Sequence, residues 1–398
     1  MSNNNMIVSE SLKSGLIEYI NSVINLYFNY MSTRNVNIES DTLSDNYKRL
    51  CELPKQILHV NNLEELYKYK QSVGLLEDNI EKGIRDERIN KLSSRERALV
   101  DRGYDVDDVI RLSYFSEEQA KDAAEIIYSR ITNGCKSVND PVCIYLGGQP
   151  GCGKSTVSMN IKENYNENGI VEIGIDNYRT YHPNYLEIER AIKKHWEGKT
   201  PTENDSPGND IADFTHNFAG RMTDILQVLI SEHKYNIAME WGMRTPEGPL
   251  ATMKTLKEKG YKNIVNFIAV HKDVSLEACK IRADVMNDYR HIVRRVPNYF
   301  HELACSTIAD SAKTIYEEGF VKNKTVDNFY LINRNNTIIW QPGFGNDLAS
   351  IYNDWLNNPI HSVEFTNNPE FAQIAYLNEA YGFNDKHHNE LTGSGLKM

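Results

Sequence analysis

The stretch Gly148-Gln149-Pro150-Gly151-Cys152-Gly153-Lys154-Ser155 satisfies G-x-x-x-x-G-K-[ST] and directly follows the apolar run Val142 to Leu146. A helical run, Lys154 to Tyr165, comes after it. A strand, a glycine-rich turn and a helix, in that order, are the context in which this pattern builds a phosphate cradle. Glycines let backbone N–H groups turn inward and approach phosphate oxygens, and the positive end of the following helix adds to the field. In that geometry Lys154 reaches the β and γ oxygens of a triphosphate, and the Ser155 hydroxyl, with Thr156 beside it, stands where Mg²⁺ is held. A glycine-rich turn with an incidental lysine is the plain alternative. All four defining residues in the right context argue against it.

The formal net charge of -11 excludes a sheath for nucleic acid, which needs surplus Lys and Arg to neutralise phosphates. Any anionic ligand must therefore meet a local basic site. The six cysteines, Cys51, Cys135, Cys143, Cys152, Cys279 and Cys305, form no CxxC pair and read as free thiols in a reducing cytoplasm. The opening MSNNNMIVSE lacks the basic start and apolar stretch of a signal peptide, and no apolar run approaches the roughly 18 residues of a membrane span. The expectation is a cytoplasmic protein without a membrane partner.

Residues 1 to 115 read as a helical domain. Leu12, Leu16, Ile20, Val23 and Tyr27 recur at helical spacing, as do Leu63, Leu66, Val73, Leu76 and Ile80. Ser116 and Gln119 form a capping-box pattern that opens a further helix. From Val142 short apolar runs alternate with helical stretches, which predicts an α/β core of three layers around a parallel sheet over residues 116 to 358. The expected strands are Val142 to Leu146, Ile170 to Ile175, Asn236 to Glu240, Ile264 to Val270 and Phe329 to Asn333. Expected helices are Lys154 to Tyr165, Ala219 to Glu232, Gly248 to Lys259, Leu276 to Tyr289 and Phe300 to Glu318, with Gly198 to Asn209 as a loop. Residues 359 to 398 read as a helix near Pro369 to Tyr381 and a polar tail.

Several charged residues fall where such a sheet presents ligand contacts. Asp176 follows an apolar run, at the carboxyl end of the strand beside the phosphate loop, and there it either accepts the proton of an attacking hydroxyl or caps the turn beyond. Glu240 ends the next strand and stands near a metal or orients a substrate hydroxyl. Arg244, four residues on, is a ligand contact or a solvated loop residue. Arg282, with Arg290, Arg294 and Arg295 beyond it, could place cations over a transferring phosphate or form a solvated face.

Taken together, these motifs resemble the zeta toxin family, P-loop kinases of bacterial toxin-antitoxin systems. GGQPGCGKST is similar to the family's phosphate loop, and IDNYRTYHPNY to its segment with the catalytic Asp followed by His-Pro. RMTD, YNIAMEWGMRT, LKEKGY and KIRADVM follow in family order, so the likeness runs from about Pro141 to Trp340. The resemblance implies that Asp176 takes the proton of a sugar hydroxyl, and that Gly148 through Thr156, with Lys154 and Ser155, hold ATP or GTP phosphates and Mg²⁺. It further implies that Asp224, Glu240 and Arg244 bind a nucleotide-sugar, and that Arg282 with Arg294 or Arg295 meets the triphosphate. The acceptor best known in the family is UDP-N-acetylglucosamine, phosphorylated on the 3′-hydroxyl of its amino sugar, with growth inhibition as the result.

Three positions depart from the family pattern. Asp224 stands where a Glu is familiar, one methylene shorter. Gly242 replaces a hydroxyl-bearing Thr, and the pair Arg294-Arg295 sits one residue differently from Pro297. Related P-loop kinases act on other UDP-sugars, nucleosides or NAD, and a nucleotide-dependent switch without transfer is a reading from another class. The helical front end suggests an antitoxin fused in cis, an antitoxin supplied in trans, or an unrelated packing domain.

Overall fold

The computed structural model describes residues 9–33, 41–165, 167–202, 205–289 and 295–362. The helix expected near residues 369–381, the tail that follows, and Arg290 and Arg294 lie outside them. The chain divides after Arg111 into two compact units.

The first unit is built from α1 (Glu10–Thr33), α2 (Asp41–Ile57), α3 (Leu63–Asn90), α4 (Ser94–Asp101) and most of α5 (Val106–Ser113). Ile20, Val23 and Tyr27 of α1 meet Leu50 and Ile57 of α2 and Val73, Leu76 and Ile80 of α3 in one apolar core. The helical spacing exists because those faces bury one another. Leu12 departs from the expectation: it is 54% exposed, since the core starts one turn later, at the partly buried Leu16.

The second unit begins with α6 (Glu117–Ile131), capped as its sequence predicts: Ser116 Oγ accepts from the Gln119 N–H at 3.1 Å and the Gln119 side chain accepts from the Ser116 N–H at 2.9 Å. It continues through β1 (Val142–Gly147), α7 (Lys154–Asn164), β2 (Val171–Ile173), a 3₁₀ turn (Ile175–Tyr181), α8 (Tyr185–His195) and α9 (Pro207–Phe214). Next come α10 (His216–Glu232), β3 (Ile237–Glu240), α11 (Glu247–Glu258), β4 (Lys262–Ile268) and α12 (Lys272–Tyr289). The unit closes with α13 (Asn298–Ile315), a π-helical turn (Tyr316–Lys322), β5 (Asn328–Ile332), β6 (Ile338–Trp340) and α14 (Leu348–Asn357).

The sheet order is β2-β3-β1-β4-β5-β6, parallel except for β6 at one edge. Cys143 and Tyr145 of β1 face a layer with Met222 and Leu226 of α10, while Ile144 and Leu146 face Val157 of α7. Cover on both faces explains why β1 is apolar throughout rather than alternating.

Two expectations need correction. The strand before Asp176 is not beside β1, because β3 pairs with both and lies between them. That strand also stops at Ile173, so Asp176 stands in the 3₁₀ turn rather than at a strand end. The region from Gly198 to Asn209 is not loop throughout: α9 starts at Pro207, whose fixed φ suits the first helical position. Among the described residues no helix is long and apolar enough to cross a membrane. All six cysteines are free thiols.

Candidate functional site

The turn between β1 and α7 has the backbone its glycines predict. Gly148, Gly151 and Gly153 adopt φ of 148°, 76° and 96°, values that L side chains rarely take. Close packing adds a second constraint at Gly151, where a Cβ would come within 2.0 Å of the Ser275 carbonyl oxygen on α12. Lys154 opens α7 and its Nζ donates to the carbonyls of Gly148 at 3.0 Å and Gln149 at 3.1 Å, so its charge is folded back into the loop. The Gln149 side chain is buried and ties the loop to the fold, its Nε2 donating to the Val270 carbonyl at 2.7 Å. Cys152 is buried inside the turn, whereas Pro150, Ser155 and Thr156 are half-buried along it.

Ser155 faces the end of β3. Its hydroxyl lies 3.5 Å from Glu240 Oε2, and Glu240 is placed by its pairing opposite Leu146 of β1. Glu172 of β2 lies on the same side, accepting from Ser158 Oγ at 2.5 Å and pairing with Lys162 Nζ at 2.6 Å. Burial, and then the negative charge of Glu172, push the Glu240 carboxyl above its ordinary value, against the opposing pull of Lys154, Lys162 and the Ser155 hydroxyl. A hydroxyl and a crowded carboxylate are oxygen donors of the kind that a hard divalent cation takes, and such a cation would relieve the repulsion. A raised carboxyl pKa means that its contribution to stability is complete below the ordinary value of 4.5 and is lost as pH rises through the folded value. Glu240→Gln is therefore expected to shift the urea midpoint upward at pH 7 and to leave it unchanged at pH 4. A midpoint that falls at pH 7 would contradict the electrostatic reading.

Asp176 is held by a residue that the sequence did not single out. Arg179, buried within the same 3₁₀ turn, donates through Nε and Nη2 to Asp176 Oδ1, each at 2.8 Å. Its Nη1 donates in turn to the Ala212 carbonyl at 2.8 Å and to Thr215 Oγ1 at 3.1 Å. A guanidinium anchored on two sides gives the exposed carboxylate a fixed base. The spacing of three in IDNYR was the available signal. His182 is a structural node instead: it is buried against Phe115 and Phe218, and its Nδ1 accepts from the Asn184 N–H at 3.1 Å. Burial lowers its pKa to about 4, so it is neutral at pH 7.

Cations gather at the other side of the loop. Cys279 of α12 packs where a Gly151 Cβ would come within 2.8 Å of its sulfur, and Arg282 follows one turn later. Burial raises the Cys279 thiol, while the charges of Arg282, Lys154 and Arg334 pull it the other way. Arg334, in the turn after β5, was also missed; its Nη2 donates to the Gly151 carbonyl at 2.6 Å. No local pattern announces a side chain that acts through a loop so distant in sequence. Arg295 is half-buried just ahead of α13. Asp224 is exposed on α10, and Arg244 is half-buried in the turn after β3 with its guanidinium carbon 5.5 Å from the Phe300 ring centre.

A mostly parallel sheet in this order, with a glycine-lined cradle at the β1–α7 turn and the Glu240 carboxyl at the end of the neighbouring strand β3, defines a P-loop phosphotransferase of the kinase type. The sequence profile of the zeta toxin family matches residues 127–342. The chain belongs to that family of kinase-type, nucleotide-binding toxins. It is 29% identical over 206 residues to Toxin PezT of Streptococcus pneumoniae, covering 51% of this chain and 74% of that protein. Toxin zeta of Streptococcus agalactiae is 26% identical over 206 residues, with 52% of this chain and 66% of the other covered. A solved structure from the PezAT chromosomal toxin-antitoxin system of Streptococcus pneumoniae superposes with a TM-score of 0.52 at 22% identity, covering 71% of this chain and 99% of that one, and shares the fold.

Proposed function

We propose that the protein transfers the γ-phosphate of ATP or GTP to a hydroxyl of a nucleotide-sugar, with the 3′-hydroxyl of UDP-N-acetylglucosamine as the favoured acceptor, and thereby arrests growth. The observation that carries this reading is the buried Arg179 clamp, which fixes the Asp176 carboxylate in the turn after β2, on the same sheet as the glycine cradle. In this mechanism Asp176 orients the attacking hydroxyl and receives its proton. Lys154 leaves the carbonyls of Gly148 and Gln149 for the β and γ oxygens, and Arg282 with Arg295 neutralises charge spreading onto the equatorial oxygens. The Ser155 hydroxyl, with Glu240 close by, would hold Mg²⁺, and the ion would supply charge withdrawal from the transferring phosphate. Asp224, Glu240 and Arg244 bind the acceptor.

Residue 242 bears on which acceptor is used. A Cβ at Gly242 would meet no atom within 4 Å, and its φ is outside the left-handed range, so the fold does not require glycine there. The room and the missing hydroxyl favour, as a second reading, a different small-metabolite acceptor. Incubating the full chain with ATP, Mg²⁺ and a panel of UDP-sugars, nucleosides and NAD, followed by phosphorus NMR, separates the two. A phosphomonoester on UDP-N-acetylglucosamine is the expected product, and one on another member alone would reassign the acceptor.

We also propose that an antitoxin restrains this activity, in cis through residues 1–115 or in trans. Growth arrest by residues 116–398 alone, compared with the full chain, distinguishes these: stronger arrest by the shorter chain indicates restraint in cis, and equal arrest excludes it.

A further inference from the structure

The turn after β3 is interlocked with the phosphate loop and fastened to α13. Met243 has φ of 46°, in the left-handed region that a residue of this size occupies only when its surroundings impose it. Its side chain is buried, and its terminal carbon fills the space that a Cβ at Gly147 would need, at 2.3 Å. The absent side chain at the end of β1 thus makes room for the methionine. Two backbone bonds continue the interlock: the Trp241 N–H donates to the Leu146 carbonyl at 3.0 Å and the Gly148 N–H to the Gly242 carbonyl at 3.5 Å.

The other side of the turn is held by α13. Ser311, buried on that helix, donates its hydroxyl to the Met243 carbonyl at 2.6 Å. The next residue, Arg244, extends its guanidinium over the ring of Phe300, in the first turn of the same helix, at 5.5 Å from the centroid. A guanidinium at that distance is attracted by the ring's negative face and keeps its outer N–H groups available for a ligand. The helix is itself fixed to the phosphate loop's supports, because His301 Nε2 lies 2.8 Å from Ser275 Oγ, which Gln149 Nε2 also approaches at 3.4 Å. One rod therefore holds the acceptor-side arginine in register with the cradle.

We propose that Phe300 and Ser311 are positioning residues for acceptor binding, acting through Arg244: Ser311 fixes the left-handed turn at Met243, and Phe300 carries the guanidinium. This rests on the reading of Arg244 as an acceptor contact. Phe300→Leu keeps apolar bulk without a π face, and Phe300→Tyr restores the face.

The test is steady-state kinetics on the full chain, with UDP-N-acetylglucosamine as acceptor probe and ATP as donor. Phe300→Leu is expected to raise KM for the sugar about fivefold to tenfold, the scale of a partly desolvated cation–π contact, with KM for ATP unchanged. Phe300→Tyr should stay near wild type, and Phe300→Leu should add nothing in an Arg244→Ala background. Ser311→Ala should act in the same direction; it strips a partner from a buried carbonyl and can lower stability by itself, so the Phe300 pair decides. An unchanged KM for the sugar, an equal rise in both KM values, or full additivity with Arg244→Ala would overturn the positioning role while leaving the acceptor reading intact. A wild-type chain that leaves this sugar unphosphorylated overturns both.

Discussion

Replacing Lys154 with alanine is expected to lower phosphotransfer by at least about 10²- to 10³-fold, the scale of losing one preorganised charge at the transferring group. The side chain is half-buried and, among the described residues, donates within the loop itself, to carbonyls at 3.0 and 3.1 Å and to the Cys152 sulfur at 3.7 Å. No core packing depends on it, so the melting temperature of the variant should stay close to that of the wild type. The positive charge should matter most in the transition state, when negative charge spreads over three equatorial oxygens. Lys154→Arg should also fail to restore activity, because a planar fork cannot occupy the turn that a single ammonium enters. ADP release at saturating ATP, alongside a thermal melt, checks both. A variant with near-normal turnover would remove the lysine from the reaction.

The second large effect is expected at Asp176. Asp176→Asn keeps an oxygen for Arg179, so the 3₁₀ turn and its anchors at Ala212 and Thr215 should survive. The amide cannot take a proton, and turnover should fall about 10²- to 10⁴-fold, the range for a positioned general base. Affinity for a fluorescent ATP analogue should be unaffected, since the proposed mechanism assigns the residue to the acceptor. That separation of binding from turnover is what distinguishes a base from a support of the fold. If ATP affinity fell in parallel with turnover, Asp176 would belong to the donor site instead.

How much of this was legible in the sequence depends on the distance over which each feature is encoded. The cradle is local: a strand, four defining residues and a helix lie within one continuous stretch, and their backbone geometry follows from residue type. The strands with near-continuous apolar runs were found within a few residues of their observed ends, since burial on both faces leaves no polar interruption. Strand order was not legible, because no local pattern says that β3 enters between β1 and β2. As a result Asp176 stands one strand further from the phosphate loop than its sequence position suggested.

The supports of the site were harder still. Arg179 could have been seen three residues after Asp176, whereas Arg334 and Ser311 act on turns far from them in the chain. The helices α8 and α14 were missed although Ile188 and Ile192 of α8 stand at helical spacing, whereas β6, three residues long, is too brief for a periodic signal to stand out. The arginine cluster was read from charge alone: Arg282 lies within α12, near Cys279, while Arg290 and Arg294 lie outside the described residues.

The most direct measurement is the rate of ADP release by the wild-type chain with ATP and Mg²⁺, with and without a nucleotide-sugar acceptor. A phosphotransferase built on this cradle and this carboxylate predicts slow release from ATP alone and release many times faster, one ADP per phosphorylated sugar, once the acceptor is added. Release that is identical with and without every acceptor offered would contradict it and mark the site as a nucleotide-sensing switch.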